Sequence, residues 1–361
     1  MDKNKKVRAI AFYLPQFYPT PENDEWWEPG FTEWTNVAKA KPLFKGHYQP
    51  RIPRDLSFYD LRVPETRDRQ AQMAREAGIE GFCYWHYWFA GRRLLDRVFT
   101  EVVESGKPDF PFCLCWANHS WKAKTWNPNM PDKMLIEQTY PGIEDYKAHF
   151  YAMLPAFKDK RYMKVDGKLI FGIFGPFVFP DFPTFAEIWN NLAKENGLEG
   201  FYFFALAQGT VNLNRFDHAP YDAIVYDKMI DIFRDYNSSF IKKSIRRLHF
   251  LFKKPIRLDY DRYVDRSIET FISEESLTPC IVPDFDHSPR SAHRWIVFDN
   301  STPEKWERLC KSAVDVLRSR RINNELLFIK SWNEWGEGNY LEPDQKWGDA
   351  YMKATAKALK Y

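Results

Sequence analysis

The sequence predicts an α/β fold, a (β/α)8 TIM barrel that takes up the whole chain. Two observations support this: short apolar segments alternate with helical patterns along the 361 residues, and eight of the segments have strand character. These segments are almost continuously apolar, as expected for parallel strands that are covered on both faces. Eight strand–helix units close naturally into a barrel, and an open, doubly wound sheet is the structural alternative.

The elements follow one another in a regular order. Strand character, meaning β-branched and aromatic residues, occurs at Val7 to Leu14, Gly81 to Trp88, Pro111 to Trp116, Lys168 to Phe174, Phe201 to Leu206, Ala223 to Tyr226, Pro279 to Pro283 and Glu325 to Ile329. Helical patterns occur at Pro64 to Ala77, Leu94 to Glu104, Ile143 to Phe157, Phe182 to Glu195, Arg262 to Ser273, Thr302 to Arg318 and Asp349 to Leu359. No internal repeat or Gly/Ser linker interrupts them, so residues 1–361 are predicted to form one catalytic domain. Two additions are expected: a long loop after strand one, about Pro15 to Asp60, and an insertion after strand six, about residues 229–260.

Composition restricts the function classes. The formal charge is only +3, which gives no reason to expect a nucleic-acid partner. Aromatic residues make up 17% of the chain and include 14 Trp, and aromatic faces stack well on sugar rings. The five cysteines have neither metal-ligand nor disulfide-framework spacing, and the N-terminal segment resembles a strand more than a signal peptide. We therefore expect a cytoplasmic protein without a metal or other cofactor.

One segment of the predicted insertion is strongly basic. Residues 240–257, FIKKSIRRLHFLFKKPIR, hold seven Lys or Arg and no acidic residue, with Ile241, Ile245, Leu248 and Phe252 near helical spacing. Such a run is compatible with a solvated decoration whose apolar stripe packs against the barrel, or with peripheral docking to an anionic membrane or a lipid-linked glycan phosphate.

Polar and aromatic residues gather where the predicted strands end. In a (β/α)8 barrel the active site is built from the carboxyl ends of the strands and the loops that follow them. These ends carry Tyr13 and Gln16; His86, Tyr87 and Trp88; Asn118, His119 and Trp121; Gln208; Asp227; Asp284, Asp286 and His287; and Asn333, Glu334 and Glu337. From this edge and the long first loop, the predicted substrate-binding residues are Tyr13, Trp34, His47, Tyr87, Trp88, Asn118, Trp121, Asp286, Trp332 and Tyr340.

Glu334 and Glu337 are the predicted catalytic residues. Cleavage of a glycosidic bond needs a proton donor for the leaving oxygen and a second carboxylate, and these two lie three residues apart in SWNEWGEGNYLEP after strand eight. Neighbouring tryptophans could raise one carboxyl pKa, and Gly336 and Gly338 allow a sharp turn. The alternative is a pair of solvated glutamates in a loop.

Other chemistries have weaker signals. Two D-x-D triplets, Asp259 to Asp261 and Asp284 to Asp286, are too short to establish a metal site; the first suits a helix N-cap and the second hydroxyl binding. His86, His119 and His287 do not share metal-ligand spacing. A nucleophile elbow and a Gly-rich phosphate loop are both lacking.

Five motifs together resemble a known family. WNEWGEGNYLEP, GFTEWTNVAKAKPLFKGHYQPRIP at Gly30 to Pro53, GFCYWHYWF at Gly81 to Phe89, CWANHSW at Cys115 to Trp121 and DFDHSPR at Asp284 to Arg290 are similar to the glycoside hydrolase family 99-like group. Within it, the chain most closely resembles the WbsX-type branch, which is found among bacterial surface-polysaccharide genes and has often been labelled a glycosyltransferase.

The resemblance implies a retaining mechanism in a (β/α)8 barrel without a glycosyl-enzyme. The sugar 2-hydroxyl acts as the nucleophile and forms a 1,2-anhydro intermediate. Carried to matching positions, Glu334 would be the base at that hydroxyl and Glu337 the general acid, and later the base for the incoming water.

Three functions remain open at this point. The first is a retaining glycoside hydrolase or transglycosidase acting on an α-linked, mannose-like oligosaccharide or lipid-linked glycan, as in O-antigen or capsule assembly. The second is a glycosyltransferase that uses a nucleotide sugar, although the sequence has no nucleotide-binding strand–turn–helix signature. The third is a non-catalytic glycan-binding barrel.

Overall fold

A closed barrel of eight parallel strands forms the centre of the protein. The structure is a computed structural model and describes residues 6–123, 132–209, 213–216, 219–236, 247, 251–294, 296–320 and 325–360. The barrel strands are β1 (Arg8–Tyr13), β2 (Gly81–His86), β3 (Phe112–Trp116), β4 (Lys168–Ile173), β5 (Phe201–Gln208), β6 (Ala223–Asp227), β7 (Leu277–Ile281) and β8 (Leu326–Ile329). Each strand pairs in parallel with its neighbours in chain order, and β8 pairs with β1 to close the ring. The predicted (β/α)8 barrel is confirmed.

Helices surround the barrel. They are α1 (Pro21–Trp26), α2 (Glu33–Lys39), α3 (Pro64–Glu76), α4 (Arg97–Ser105), α5 (Ile143–Phe157), α6 (Phe182–Glu195), α7 (Met229–Tyr236), α8 (Tyr260–Ser273), α9 (Ser288–Ser291), α10 (Pro303–Ser319) and α11 (Ala350–Lys360). All seven predicted helices are present. After β5 the described residues form only a 3₁₀ turn, Leu213–Phe216, so this unit lacks a regular helix within the part that is described.

Short strands and turns decorate the ends of the barrel. The antiparallel pairs are Trp88–Phe89 with Arg92–Arg93, Trp121–Lys122 with Met134–Ile136, Lys164–Val165 with β4, and Asn333–Glu334 with Asn339–Tyr340. Ile256–Asp259 and Ile296–Asp299 form a parallel pair. Three further 3₁₀ turns are Pro176–Val178, Ala292–Arg294 and Trp335–Glu337.

The strands are short and apolar because both of their faces are covered. Inside the barrel, Phe12 of β1 stacks on Trp85 of β2 with ring centroids 4.6 Å apart, and it also contacts Phe328 of β8. Outside, helices such as α10 bury an apolar face that includes Trp306 and Leu309. Burying apolar area on both sides of each strand is the main stabilising contribution in such a layer.

The structure describes the long first loop in full but only part of the predicted insertion. The long loop after β1 is ordered into α1 and α2 and packs over the carboxyl end of the barrel. Of the basic run 240–257, most of the predicted apolar stripe (Ile241, Ile245 and Leu248) lies outside the described residues. Its last member, Phe252, is 67% exposed, and Ile256 and Arg257 enter the strand that pairs with Ile296–Asp299. Across the described ranges, every helix is too short or too polar to cross a bilayer.

Candidate active site

The two candidate catalytic glutamates sit in a tight turn that follows β8. Glu334 ends the short strand Asn333–Glu334, and Glu337 ends the 3₁₀ turn Trp335–Glu337. The side chain of Asn333 fixes the start of this turn, because its Oδ1 accepts from the Leu14 amide at 2.8 Å and its Nδ2 donates to the Leu14 carbonyl at 3.0 Å. The turn after β8 is thereby tied to the end of β1. We call residues 333–340 the glutamate turn.

Arg290 joins the two glutamates. Its Nη1 donates to Oε1 of Glu337 at 2.6 Å and lies 3.4 Å from Oε1 of Glu334, while its Nε donates to Oε1 of Glu33 at 2.7 Å. Because both oxygens of the candidate pair contact one nitrogen, they lie within about 6 Å of each other. The guanidinium is almost fully buried, so its fork compensates three carboxyl groups in a region from which water is largely excluded.

The two glycines of the glutamate turn lie against buried charged side chains. A Cβ on Gly336 would collide with the Glu33 carboxylate and approach Nε of Arg290. Gly338 has φ of +59°, the left-handed region that favours glycine, and a Cβ there would lie 2.8 Å from Cβ of Asp286 and 2.9 Å from Cζ of Arg51. The backbone can therefore pass between two buried arginines only where no side chain is present.

A second cluster supports the glutamate turn from the side of the first loop. The Asp286 carboxylate accepts from Gln49 at 2.7 Å and lies 2.8 Å from Nε2 of His47; it is also 3.6 Å from Arg51. Burial alone would raise the pKa of Asp286, but hydrogen bonding to His47 and the charge of Arg51 outweigh it and hold that pKa well below its ordinary value. The Asp286 amide in turn donates to the Glu337 carbonyl at 2.6 Å.

A cavity opens in front of the glutamate pair at the carboxyl end of the barrel. It encloses about 350 Å³. Its wall contains aromatic and apolar side chains together with six His, Arg, Lys or Glu side chains; the lining residues are Leu14, Trp85, Tyr87, Ala117, His119, Trp121, Phe174, Met229, Ile230, Phe285, His287, Arg290, Lys330, Glu334 and Glu337. An apolar wall with a few convergent polar groups is typical of a ligand site.

Burial and neighbouring charges act on the carboxyl group of Glu334. Burial raises the pKa of Glu334 above its ordinary value, and the charge of Glu337 raises it further, while Arg290 and Lys330 oppose the shift. Oε2 of Glu334 accepts a hydrogen bond from Ser331 at 3.0 Å. Glu337 lies closer to Arg290 than Glu334 does. In the free site, burial and the neighbouring charge of Glu337 therefore favour the protonated form of Glu334.

The two histidines of the wall are neutral near pH 7. Burial lowers the pKa of His119 to about 4 and that of His287 to about 3, the latter with a further contribution from Arg290. Nδ1 of His287 lies 2.8 Å from the Ser291 hydroxyl, and its Nε2 lies 3.7 Å from Oε1 of Glu337. Both side chains can offer a neutral donor or acceptor to a ligand hydroxyl.

The structure brings four of the twelve predicted site residues to this cavity: Tyr87, Trp121, Glu334 and Glu337. The other eight lie outside its wall and are buried in supporting contacts. Tyr13 donates to Gln70, Trp34 donates to the Tyr59 carbonyl, Trp88 donates to Asp145, and Asn118 bonds Tyr140 and Gly175. Trp332 is fully buried, Tyr340 stacks on Trp335 with centroids 3.7 Å apart, and His47 and Asp286 pair with each other. Their expected contacts with the sugar would require these buried side chains to move.

Sequence reasoning missed Arg290, Glu33 and Lys330 as site residues. Arg290 and Glu33 lie inside quoted motifs, DFDHSPR and GFTEWTN, but their pairing joins residues 257 positions apart. The available signal for Arg290 was its position at the end of the motif that follows strand seven. Its partners could not be identified, because they depend on the tertiary fold. The prediction that Asp259 caps a helix is confirmed, because its carboxylate accepts from the amides of Asp261 and Arg262.

The other D-x-D triplet is already occupied by side chains of the protein. Oδ2 of Asp284 accepts from Arg51 at 2.7 Å, and Asp286 is held as described above. Within the described residues, no three His, Cys, Asp or Glu side chains are grouped so that they could hold a metal ion.

Comparison with solved structures shows what this fold is similar to. The GH99 endo-alpha-mannosidase from Bacteroides thetaiotaomicron superimposes with a TM-score of 0.59 at 13% identity, over 97% of this chain and 96% of that one. A protein described as glycoside hydrolase-like gives a TM-score of 0.60 at 14% identity, over 100% of this chain and 96% of that one. At these identities the likeness is one of fold.

Sequence comparison shows the family. Two curated proteins from strains of Xanthomonas campestris pv. campestris, both named "Uncharacterized protein WxcX", are 33% identical over 353 and 360 residues. Each match covers 97% of this chain and 49% of the relative, so the chain spans about half the length of the curated relatives it matches. The family model described as "Glycosyltransferase WbsX" matches residues 9–355, and the chain therefore belongs to the WbsX glycosyltransferase family.

Proposed function

We propose that this protein is a carbohydrate-active enzyme, a retaining glycoside hydrolase or transglycosidase that acts on an α-linked, mannose-like glycan. The observation that carries the proposal is the pair Glu334 and Glu337. Both face one aromatic-walled cavity at the carboxyl end of the barrel, and one arginine contacts both. Paired carboxyl groups in a partly apolar cleft are the equipment that glycosidic bond cleavage requires.

The chemistry uses the substrate's own 2-hydroxyl, as the family resemblance implies. In the first step Glu334 takes the 2-hydroxyl proton as that oxygen attacks C1, while Glu337 gives a proton to the departing glycosidic oxygen. In the second step water or a sugar hydroxyl attacks C1 of the 1,2-anhydro sugar and gives its proton to Glu337, while Glu334 returns a proton to O2. Two displacements at C1 leave the anomeric configuration unchanged.

The raised pKa of Glu334 bears on this assignment. A base must be deprotonated before it can act, whereas burial and the charge of Glu337 favour the protonated form of Glu334. Substrate binding must therefore lower the pKa of Glu334, or the two residues have exchanged roles. A sugar 2-hydroxyl that donates a hydrogen bond to Glu334 would favour the first outcome, because hydrogen bonding to the charged form of a carboxyl group stabilises that form.

Leaving-group dependence separates the two assignments. E334Q and E337Q are to be compared with the wild type on 4-nitrophenyl and 2,4-dinitrophenyl α-mannosides and on α-linked manno-oligosaccharides, with E304Q, an exposed glutamate in the first turn of α10, as the control. Loss of the acid should cost about 10²–10⁴-fold on the oligosaccharides and much less on the dinitrophenyl glycoside, whose leaving group needs no proton. Loss of the base should impair all of them.

The outcomes are distinct. If E337Q keeps activity only on the activated glycoside, Glu337 is the acid; if E334Q does so, the roles are exchanged. If both variants turn over every substrate as the wild type does, the glutamate pair is not catalytic. Sugar binding without turnover in the wild type would instead support the non-catalytic glycan-binding barrel.

A second candidate, a glycosyltransferase that uses a nucleotide sugar, is favoured by the description of the family itself. Against it, Asp284 and Asp286, which a divalent ion would need, are already paired with Arg51 and His47. Calorimetry with a panel of nucleotide sugars and Mn²⁺ or Mg²⁺ tests it. Saturable heat that is lost in D284N would support the transferase, and no heat across the panel would argue against it.

The substrate in the cell is proposed to be an oligosaccharide or lipid-linked glycan of surface-polysaccharide assembly, handled in the cytoplasm. The basic run 240–257 would bring the protein to anionic lipid. Co-sedimentation with vesicles containing 30% phosphatidylglycerol at low salt checks this part. Failure to bind, compared with neutral vesicles, would remove the membrane contact without affecting the chemistry.

A further inference from the structure

Lys330 and Asp227 form a buried pair next to the glutamates that the proposed chemistry does not use. Lys330 follows β8 and Asp227 ends β6, so the two face each other across β7 at the mouth of the barrel. The Lys330 amide donates to the Ile281 carbonyl at 3.0 Å, which fixes the lysine backbone to β7. The side chain of Lys330 is only 10% exposed and lines the cavity.

The contact between the two charges is too long for a hydrogen bond. Nζ of Lys330 lies 3.8 Å from Oδ2 of Asp227. Oδ1 of Asp227 accepts from the Met229 amide at 2.9 Å, whereas Oδ2 is buried without a hydrogen-bond partner in the described part of the chain. A buried ammonium group has three N–H donors, and each donor that lacks a hydrogen-bond acceptor costs free energy.

Lys330 lines the cavity together with apolar side chains. Met229, Ile230 and Phe285 are among them, and they offer no strong hydrogen-bond acceptor. The charges of Asp227, Glu337 and Glu334 act on the amine in that order of strength and keep its pKa raised although burial opposes this, so the side chain stays cationic. A ligand in the cavity would meet a fixed, charged donor.

We propose that Lys330 is a specificity-determining residue that donates a hydrogen bond to one ring hydroxyl of the sugar bound beside Glu334 and Glu337, with Asp227 holding the amine in place. The inference rests on the proposed function, because it takes the ligand of the cavity to be a sugar. A neutral hydroxyl suits the site better than an anionic substituent, because Glu33, Glu337 and Asp227 already offset the charges of Arg290 and Lys330. A site built to bond a hydroxyl discriminates strongly against the analogue that lacks it.

Ligand-observed NMR titration with methyl glycosides is the test. Methyl α-mannoside and its gluco, galacto and rhamno analogues identify the sugar that binds best, and the single-position deoxy forms of that sugar are then titrated against the wild type and K330M. We expect one deoxy form to bind the wild type about 10- to 100-fold more weakly than the parent sugar. K330M should bind the parent sugar and that deoxy form equally.

Two further variants separate recognition from folding. K330M leaves the Asp227 carboxylate buried without its cation, so K330M/D227N removes both charges and keeps the fold testable by its melting temperature. The matched control is K228M, because Lys228 is also little exposed and pairs with Asp231 at 3.4 Å, but it does not line the cavity. It should distinguish the parent and deoxy sugars as the wild type does.

The failures can be told apart. If folded K330M/D227N still discriminates the deoxy sugar as the wild type does, Lys330 only neutralises Asp227 and the inference is wrong. If no glycoside of the panel binds the wild type, the proposed function fails and the inference fails with it. If sugars bind but no deoxy form depends on Lys330, only the inference falls.

Discussion

Glu342 follows the glutamate turn in the chain, and we predict that its ionisation makes the stability of the fold depend on pH. Its carboxyl oxygens accept from Trp335 at 2.6 Å, Gln70 at 2.6 Å and Tyr59 at 2.9 Å. Burial raises its pKa from 4.5 to about 7, although the three donors oppose the shift. At about 1.4 kcal/mol per unit, this difference corresponds to about 3 kcal/mol.

The sign follows from proton binding. The folded protein holds the Glu342 proton more tightly than the unfolded chain does, so this contribution to the free energy of unfolding is fully present below about pH 4.5. It is lost as the pH rises through about 7. The raised pKa of Glu334 acts in the same direction. The lowered pKa values of His119 and His287 act in the opposite direction, so a difference between variants is needed.

Urea unfolding of the wild type and E342Q between pH 4 and 8 isolates the effect. The wild type should lose about 3 kcal/mol relative to E342Q across this range, because the glutamine has no proton to lose. E269Q, on an exposed part of α8, is the control and should follow the wild type. Parallel curves for the wild type and E342Q would refute the reasoning, because Glu342 would then titrate alike in the folded and unfolded chains.

Three further changes test the site. R290M should destabilise the fold by about 3–5 kcal/mol in urea unfolding, because Glu33 and Glu337 lose their buried partner. R290M/E33Q should recover part of this loss. A loss below about 1 kcal/mol in R290M would contradict the ion-pair argument. G338A should lower the free energy of unfolding by about 2 kcal/mol or more, because the added Cβ would collide with Asp286 and Arg51. The control G91A also has a positive φ but no atom within 4 Å of the added Cβ, so it should lower the free energy of unfolding less. Equal losses in the two variants would show that backbone strain alone is responsible. W121A should weaken glycan binding in an NMR titration by roughly tenfold, because Trp121 offers a stacking face in the cavity. The control W347A, whose side chain lies outside this cavity, should bind as the wild type does. Unchanged binding in both variants would exclude Trp121 as a stacking face.

The barrel could be read from the sequence because its strands are short, apolar and regularly spaced. The observed β7, Leu277–Ile281, begins two residues before the predicted Pro279 to Pro283, while β2 and β3 begin within one residue of their predicted starts. Placement of the glutamate pair at the barrel mouth followed from the strand-end rule. The positions of the aromatic side chains were harder to predict. Composition does not show which rings face a cavity and which, like Trp332, lie in the core. The partners of Arg290 and Lys330 could also not be predicted from the sequence, because these partners come from distant segments of the chain.

The segment from Asp284 to His287 sends alternate side chains in opposite directions, and this divides the cavity wall into two kinds. Phe285 and His287 enter the cavity, whereas Asp284 and Asp286 turn away to the first loop and its arginine. On this side Asp286 contacts His47, Gln49 and Arg51, and its amide donates to the Glu337 carbonyl, so one substitution disturbs several contacts. Phe174 and Ile230 also line the cavity, and their side chains carry no charge. We therefore expect substitutions at these uncharged positions to change which ligand the cavity accepts while the geometry of the glutamate pair is kept.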